Sequence, residues 1–234
     1  MQKLKKFASY LNMIKYLTDT PVTIGTLIRY EPIIRLIVES SGVIGSITEV
    51  LPNGDGLAAL LNIPLNQVTK SPASRKPRNV TELTYDAFVE RGKDSDLLVS
   101  LDGPMIFPLN ERKGFIDLLA DHTKKFLVTS YPLEHCALDV DSFGLLTPQD
   151  TLSRDLAGNF SMGYSTSEML PKNSVRKITE WNEPTLIHLM ASYSNLVLAS
   201  PILKAKILDW ILESQVLSDS DPIYRKTFLY EVVP

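Results

Sequence analysis

Acidic residues and glycines lie close together in the first quarter of the chain. Glu49 lies in a short apolar run, and a turn follows it that contains Asn53, Gly54, Asp55 and Gly56. A strand that runs through a glycine-rich turn into a helix is how α/β folds bring backbone N–H groups close to a nucleotide. The pattern therefore predicts a nucleoside-binding turn, in which Glu49 holds a ribose or orders the turn. The alternatives are a solvated or capping Glu49 and an ordinary turn, since Asn-Gly and Asp-Gly pairs are common in turns.

Two further candidate residues follow predicted strands. Asp102 ends the apolar stretch 95–102, and His135 follows the stretch 124–131. Ligands of open α/β sheets bind beyond the carboxyl ends of the strands, so Asp102 could orient a ligand or act as a general base. Histidine side chains titrate near neutral pH, which suits His135 to the same chemistry. The simpler alternatives are a helix-capping Asp102 and a structural His135.

The sequence gives less support to metal-dependent chemistry and to serine hydrolase chemistry. His122, His135 and His188, together with Cys136, lack the spacing of metal ligands, so no metal site is predicted. The Gly-x-Ser-x-Gly turn of serine hydrolases is absent from the sequence. A single cysteine cannot form a disulfide within one chain, and this favours a reducing, cytoplasmic setting.

Charge and hydropathy narrow the classes of partner. The 234-residue chain has a net charge of −3 and no block of Lys and Arg, which gives no reason to expect a nucleic acid. No apolar run reaches the roughly 18 residues that a membrane span needs. The expected partner is therefore a small molecule or another protein.

The candidate residues are set in alternating strand and helix patterns between residues 47 and 131. This alternation predicts a parallel sheet with right-handed crossovers. The strand-like segments are 47–51, 65–69, 80–83, 95–102, 124–131, 174–181 and 224–233. The helix-like segments are 4–17, 30–40 (initiated at Pro32), 57–61, 85–90, 110–122 and 183–214.

The whole chain is expected to form one domain. Residues 1–41 would supply N-terminal helices and residues 42–138 the α/β core. Residues 139–173 are polar and rich in turns, and a connection of this length is more often a lid or binding loop than a spacer. Residues 174–234 would supply C-terminal helices and the closing strands.

The order of these elements resembles the class I S-adenosylmethionine-dependent methyltransferases, most closely the methyltransferase type 11 group. Residues 48–59 are similar to the first motif of that family, in which an acidic residue precedes alternating glycines. Residues 96–102 resemble its fourth strand, and residues 222–230 resemble its last, antiparallel strand. The resemblance implies a Rossmann-like three-layer α/β sandwich, with a mostly parallel seven-stranded sheet and helices on both faces.

The resemblance also implies a cofactor and a reaction. Methyl transfer would proceed from S-adenosylmethionine to a small-molecule, lipid-linked or glycan acceptor, with Asp102 and His135 as catalytic residues. The implied cofactor-binding residues are Glu49, Asn53, Gly54, Asp55, Gly56, Thr69 and Asp102.

Three departures from the family motifs affect the expected cofactor site. The glycine positions of the family fall on Leu51, Asn53 and Asp55, so the glycines of this chain are one place out of phase. Where the family places an acidic residue at the end of strand two, this chain has Val68-Thr69-Lys70, which offers a hydroxyl and a cation. The segment after strand four, residues 103–107, is apolar.

These departures leave two other functions open. One is a catalytically inactive methyltransferase-like protein that serves as a binding or scaffold subunit. The other is a different nucleotide-binding α/β protein.

Overall fold

The computed structural model describes residues 24–51, 56–61, 63–69, 79–91, 95–101, 103–132, 168–171, 174–184 and 223–233. The strands are β1 (Ile47–Leu51), β2 (Leu65–Thr69), β3 (Val80–Thr84), β4 (Ser95–Leu101), β5 (Thr123–Pro132), β6 (Val175–Pro184) and β7 (Ile223–Val232). The helices are α1 (Ile24–Glu39), α2 (Gly56–Leu60), α3 (Tyr85–Arg91) and α4 (Leu109–Asp121), with a 3-10 helix at Gly103–Ile106.

The strands form one seven-stranded sheet in the order β3-β2-β1-β4-β5-β7-β6. Strands β1 to β5 pair in parallel, whereas β7 is antiparallel to both of its neighbours, β5 and β6. The predicted fold class, a mostly parallel seven-stranded sheet with an antiparallel last strand, is confirmed. Each predicted strand is present, with ends that differ by up to three residues.

Helices cover both faces of the sheet, and each face has its own core. On the first face, Tyr30, Ile33 and Ile34 of α1 and Leu57 of α2 pack with Val99 of β4. On the second face the core consists of Phe88 of α3, Phe115 and Ile116 of α4, and Leu98, Leu127 and Phe228 of the sheet. Burial on both sides explains why six of the seven residues of β4 are buried, whereas a strand with one exposed face would alternate.

The start of the first described helix differs from the prediction. Helix α1 begins at Ile24 rather than at Pro32, so the proline lies inside the helix. Proline lacks the N–H that would bond to the carbonyl four residues earlier, and this normally ends or kinks a helix. Here Ile33 and Ile34, directly after the proline, are buried against the sheet. Packing of an apolar face supplies most of the stability of a helix in a protein, and it outweighs the local penalty.

Two other predicted helices reach beyond the described part of the chain. Glu183 and Pro184, expected to open a C-terminal helix, end β6 instead. The rest of that segment, 185–214, and the N-terminal segment 4–17 lie outside the described residues, as does most of the predicted lid. In the described ranges, no helix is long and apolar enough to cross a membrane.

The chain turns tightly over the end of β4. Gly103 opens the 3-10 helix, and a Cβ atom built there would overlap Ser100 Oγ and lie 3.2 and 3.3 Å from two ring carbons of Phe115. The ring centroids of Phe107 and Phe115 are 4.7 Å apart, and those of Phe107 and Tyr85 are 5.5 Å apart. The apolar segment after β4 is thus a packed cover over the second face of the sheet.

Gly103→Ala should destabilise the protein by about 1–3 kcal/mol, because an added methyl group overpacks a filled contact. Urea denaturation with matched m-values would measure the change. Gly114→Ala is the control, since a Cβ at this position of α4 has no neighbour within 4 Å. This control should be neutral or stabilising by up to about 1 kcal/mol, because alanine favours a helix. Equal effects of the two substitutions would contradict the packing argument.

Candidate functional site

The topology of the sheet places a candidate site at one edge. From β1 the chain proceeds through β2 to β3 on one side, and then crosses to β4 on the other side of β1. Open α/β sheets bind ligands beyond the carboxyl ends of the strands at such a reversal. In register, Leu51 of β1 pairs with Thr69 of β2, so these two strand ends lie side by side.

Glu49 lies on β1 two residues before that edge, and it is completely buried. Tyr30 donates a hydrogen bond of 2.8 Å from Oη to Glu49 Oε1. The backbone N–H of Leu57 donates a second bond of 2.8 Å to Oε2. Each carboxyl oxygen therefore accepts a hydrogen bond from a different helix, α1 or α2.

Burial dominates the titration of this carboxyl group. It raises the pKa of Glu49 to about 7, because a buried charge loses its hydration. The hydrogen bonds from Tyr30, Leu57 and Gln67 act in the opposite direction and favour the ionised form. Among the described residues, no cation forms an ion pair with Glu49.

Gly56 lies directly against this carboxyl group. Its φ of +50° is in the left-handed region, where a side chain is disfavoured. A Cβ atom built on Gly56 would lie 2.6 Å from both Cδ and Oε1 of Glu49, and closer still to Oε2. The close approach of the backbone to the Glu49 carboxyl group therefore requires a glycine at position 56. This position is one place out of phase with the glycines of the family motif.

Thr69 ends β2 and is 5% exposed. It pairs in register with Leu51 of β1 on one side and with Thr84 of β3 on the other. At this strand end the side chain is a neutral hydroxyl, whereas the family uses a carboxylate.

The structure brings three of the predicted site residues to the same edge: Glu49 and Gly56 in contact, and Thr69 on the neighbouring strand. Asn53, Gly54, Asp55, Asp102 and His135 lie outside the described residues. The position of Asp102 in the chain follows Leu101, which ends β4, the strand paired with β1.

Sequence reasoning missed two residues that contribute to this arrangement. Tyr30 was assigned only to a helix, and Gln67 only to a strand. Gln67 pairs in register with Glu49 and is completely buried. The available signal was its position: Leu65, Gln67 and Thr69 lie on one face of β2, so a polar residue in that series needs a partner.

The end of the predicted lid is held on the second face of the sheet. Met169 donates a backbone hydrogen bond of 2.8 Å to the hydroxyl oxygen of Tyr131, near the end of β5. Tyr230 of β7 donates a bond of 2.9 Å to Glu168 Oε1, and Lys177 of β6 lies 2.7 Å from Glu168 Oε2. Residues 168–171 are thus tied to three adjacent strands.

Metal-ligating residues do not converge in the part of the chain that the structure describes. No group of three or more His, Cys, Asp or Glu side chains there could hold a metal ion.

Comparisons with known proteins show a fold. No protein-family model matches the chain, and no curated protein sequence is significantly similar to it. The plantazolicin methyltransferase BpumL in complex with SAH is 13% identical, with a TM-score of 0.57 over 100% of this chain and 91% of that chain. BpumL in complex with a triazolic desmethylPZN analog and SAH is 12% identical, with a TM-score of 0.56 over 100% and 92% of the two chains.

A third structure is similar over much of its length. The magnesium protoporphyrin IX methyltransferase (ChlM) from Synechocystis PCC 6803 with bound SAH is 12% identical, with a TM-score of 0.48 over 99% of this chain and 94% of that chain. The two BpumL comparisons show that the chain has the class I methyltransferase fold, which confirms the fold that the sequence resemblance implied.

The raised pKa of Glu49 predicts a stability that depends on pH. The unfolded carboxyl titrates near 4.5 and the folded one near 7, so the stabilising contribution is complete below pH 4.5 and is lost as the pH rises through 7. At about 1.4 kcal/mol per pKa unit, the loss is about 3 kcal/mol. Chemical denaturation between pH 4.5 and 8 would measure it.

Glu49→Gln should remove this pH dependence, because the amide does not titrate. Glu90→Gln, which changes an exposed carboxylate of α3, is the control and should retain the wild-type profile. A Glu49→Gln variant with the wild-type slope would show that another group titrates in this range.

Gly56→Ala should destabilise the protein by about 2–4 kcal/mol. The left-handed backbone alone costs about 1–2 kcal/mol for a residue with a Cβ, and the methyl group must also displace the Glu49 carboxyl. Gly42→Ala is the matched control, because no atom lies within 4 Å of a Cβ built there. Denaturation midpoints would compare the two, and a Gly56→Ala variant as stable as Gly42→Ala would contradict the geometry.

Proposed function

We propose that the chain is an S-adenosylmethionine-dependent methyltransferase that acts on a small-molecule, lipid-linked or glycan acceptor in a cytoplasmic setting. The observation that carries the proposal is the geometry at the end of β1. There Gly56, with φ of +50°, packs on a buried acidic residue at the strand reversal of a class I methyltransferase fold. This is the position at which such a sheet binds a nucleoside ligand.

Some residues at this edge are better suited than others to contact the cofactor. The turn 52–55 and Gly56 would approach the ligand with backbone, and the Thr69 hydroxyl would reach a ribose hydroxyl. Glu49 accepts hydrogen bonds at both oxygens and is completely buried, which supports a role in ordering the turn rather than in touching the ligand. Asp102 would orient the donor from the end of β4.

Methyl transfer would depend mainly on the relative positions of the donor and the acceptor. S-adenosylmethionine would supply a methyl group on a sulfonium, ready for in-line displacement. The protein must hold the acceptor atom in line, and alignment of reactants contributes a large share of such a rate enhancement. A base is needed only where the acceptor carries a proton, and we assign that role to Asp102 or His135.

The neighbouring structure supports an organic acceptor. BpumL was crystallised together with SAH and a triazolic desmethylPZN analog, so this fold can hold a cofactor product and an acceptor analog at once. For the present chain, we infer that the acceptor enters beside the predicted lid, whose end at residues 168–171 is anchored on β5, β6 and β7.

One observation favours a second function, that of an inactive binding or scaffold subunit. Where the family places a carboxylate, β2 ends in Thr69, and the buried Glu49 has both of its oxygens engaged. Each hydrogen bond to a charged group is worth about 1.5–3 kcal/mol, so losing the ribose carboxylate weakens the cofactor site substantially.

Isothermal titration with S-adenosylmethionine and S-adenosylhomocysteine would test the proposal. We expect saturable binding of one ligand per chain, and Thr69→Ala should weaken it about tenfold through loss of the ribose contact. Thr179→Ala, an exposed position on β6, is the control and should bind as the wild type does.

Three outcomes separate the alternatives. No heat and no thermal shift with either ligand would overturn the methyltransferase proposal. A stable partner that copurifies with the ligand-free protein would then favour the scaffold function. Preferential binding of NAD or a nucleoside phosphate would favour a different nucleotide-binding protein.

A further inference from the structure

Helix α1 reaches the candidate site through the side chain of Tyr30. Tyr30 is 5% exposed, and its hydroxyl donates to Glu49 across a separation of 19 residues. We propose that Tyr30 is a positioning residue that orients the Glu49 carboxyl group and, through it, the start of α2 at Gly56 and Leu57. This inference rests on the proposed function and extends it to a residue that would not touch the ligand.

The planar geometry of the carboxyl group makes the linkage from Tyr30 through Glu49 to Leu57 rigid. Its two oxygens belong to one planar group, so a bond from Tyr30 to Oε1 also fixes the direction in which Oε2 accepts the Leu57 N–H. A Cβ built on Gly56 would lie 2.6 Å from both Cδ and Oε1. The carboxyl plane therefore faces the Gly56 backbone, and the group cannot rotate without changing its contact with the turn.

Helix α1 provides a fixed point for this linkage. Ile33 is completely buried and Ile34 is 4% exposed, in the same core as Leu57 of α2 and Val99 of β4. Because these apolar contacts hold α1 on the sheet, the Tyr30 hydroxyl is presented to Glu49 at a constant distance. The Tyr30→Phe substitution keeps the aromatic ring in that core and removes the hydroxyl that donates to Glu49.

The charge of Glu49 determines how well this group accepts the hydrogen bonds of the linkage. Tyr30 faces it from α1 and Gln67 from β2, and both favour the anion by donating hydrogen bonds. The ionised carboxylate accepts from all of its neighbours, whereas a protonated one must present a donor to one of them. Loss of the Tyr30 hydroxyl should therefore raise the Glu49 pKa further and leave the group neutral over more of the physiological range.

The test compares Tyr30→Phe with Tyr230→Phe in the full chain. Both tyrosines are buried and donate to a glutamate, since the Tyr230 hydroxyl lies 2.9 Å from Glu168 Oε1, but only Tyr30 contacts Glu49. Binding of S-adenosylhomocysteine would be measured by calorimetry from pH 6 to pH 9. In the wild type, affinity should rise with pH as Glu49 ionises.

Tyr30→Phe should weaken S-adenosylhomocysteine about tenfold at pH 7 and move the midpoint of this pH profile upward. Tyr230→Phe should leave both the affinity and the midpoint unchanged. Adding Glu49→Gln to Tyr30→Phe should abolish the pH dependence, since no carboxyl group remains to be tuned. A Tyr30→Phe protein with the wild-type affinity and midpoint would overturn the inference.

A second readout does not depend on the cofactor. The pH dependence of unfolding, measured without ligand, should shift to higher pH in Tyr30→Phe and not in Tyr230→Phe. If the wild type fails to bind S-adenosylhomocysteine, the proposed function fails, and this measurement still tests the coupling of Tyr30 to Glu49. An unshifted unfolding profile in a folded Tyr30→Phe protein would overturn the coupling by itself.

Discussion

The arrangement of this site depends on one buried carboxyl group. Glu49 accepts a hydrogen bond from Tyr30 on α1 and another from the Leu57 backbone at the start of α2. It thereby joins two helices to strand β1 inside the core, where the equally buried Gln67 is its register partner on β2. An unpaired acid there would be strongly unfavourable, so the donors around it must stay in place. The left-handed backbone at Gly56 follows from the same constraint, since any side chain at that position would occupy the space of the carboxyl group.

Burial of this acid opposes the ionised form that its donors favour. Loss of hydration raises the pKa of Glu49 to about 7, while the hydrogen bonds act to lower it. The balance places a structural group within the range in which cellular pH can change its charge. The ionised form of Glu49 best satisfies the surrounding donors, but it is also the form that is costly to bury. Ionisation of this group therefore orders the site and lowers the stability of the fold.

Fold and activity are supported to different degrees. The seven-stranded order, with β7 between β5 and β6, matches a class I methyltransferase fold, and the similarity to BpumL extends over the whole chain. A fold of this kind supports many functions, and function has to be argued from the site. At the site, the strand reversal beside β1 is where such sheets bind nucleoside ligands, whereas Thr69 offers a hydroxyl in place of the carboxylate of the resembled family. The methyltransferase proposal therefore rests on the strand reversal beside β1, and the scaffold alternative on the side chain that ends β2.

The sequence by itself determined the strands, because runs such as 95–101 are apolar enough to require cover on both faces of a sheet. It also placed Glu49 and Thr69 near the ends of two strands and Gly56 in the turn after the first of them. It assigned the wrong start to α1, since local proline chemistry points to Pro32 while the stability of that helix comes from packing on the sheet. Only the tertiary structure decided which residues meet: Tyr30 and Gln67 contribute to the site because α1 and β2 pack against β1. A hydrogen bond between residues 30 and 49 leaves no periodic pattern in a sequence, because it is created by the docking of two elements rather than by the propensity of either.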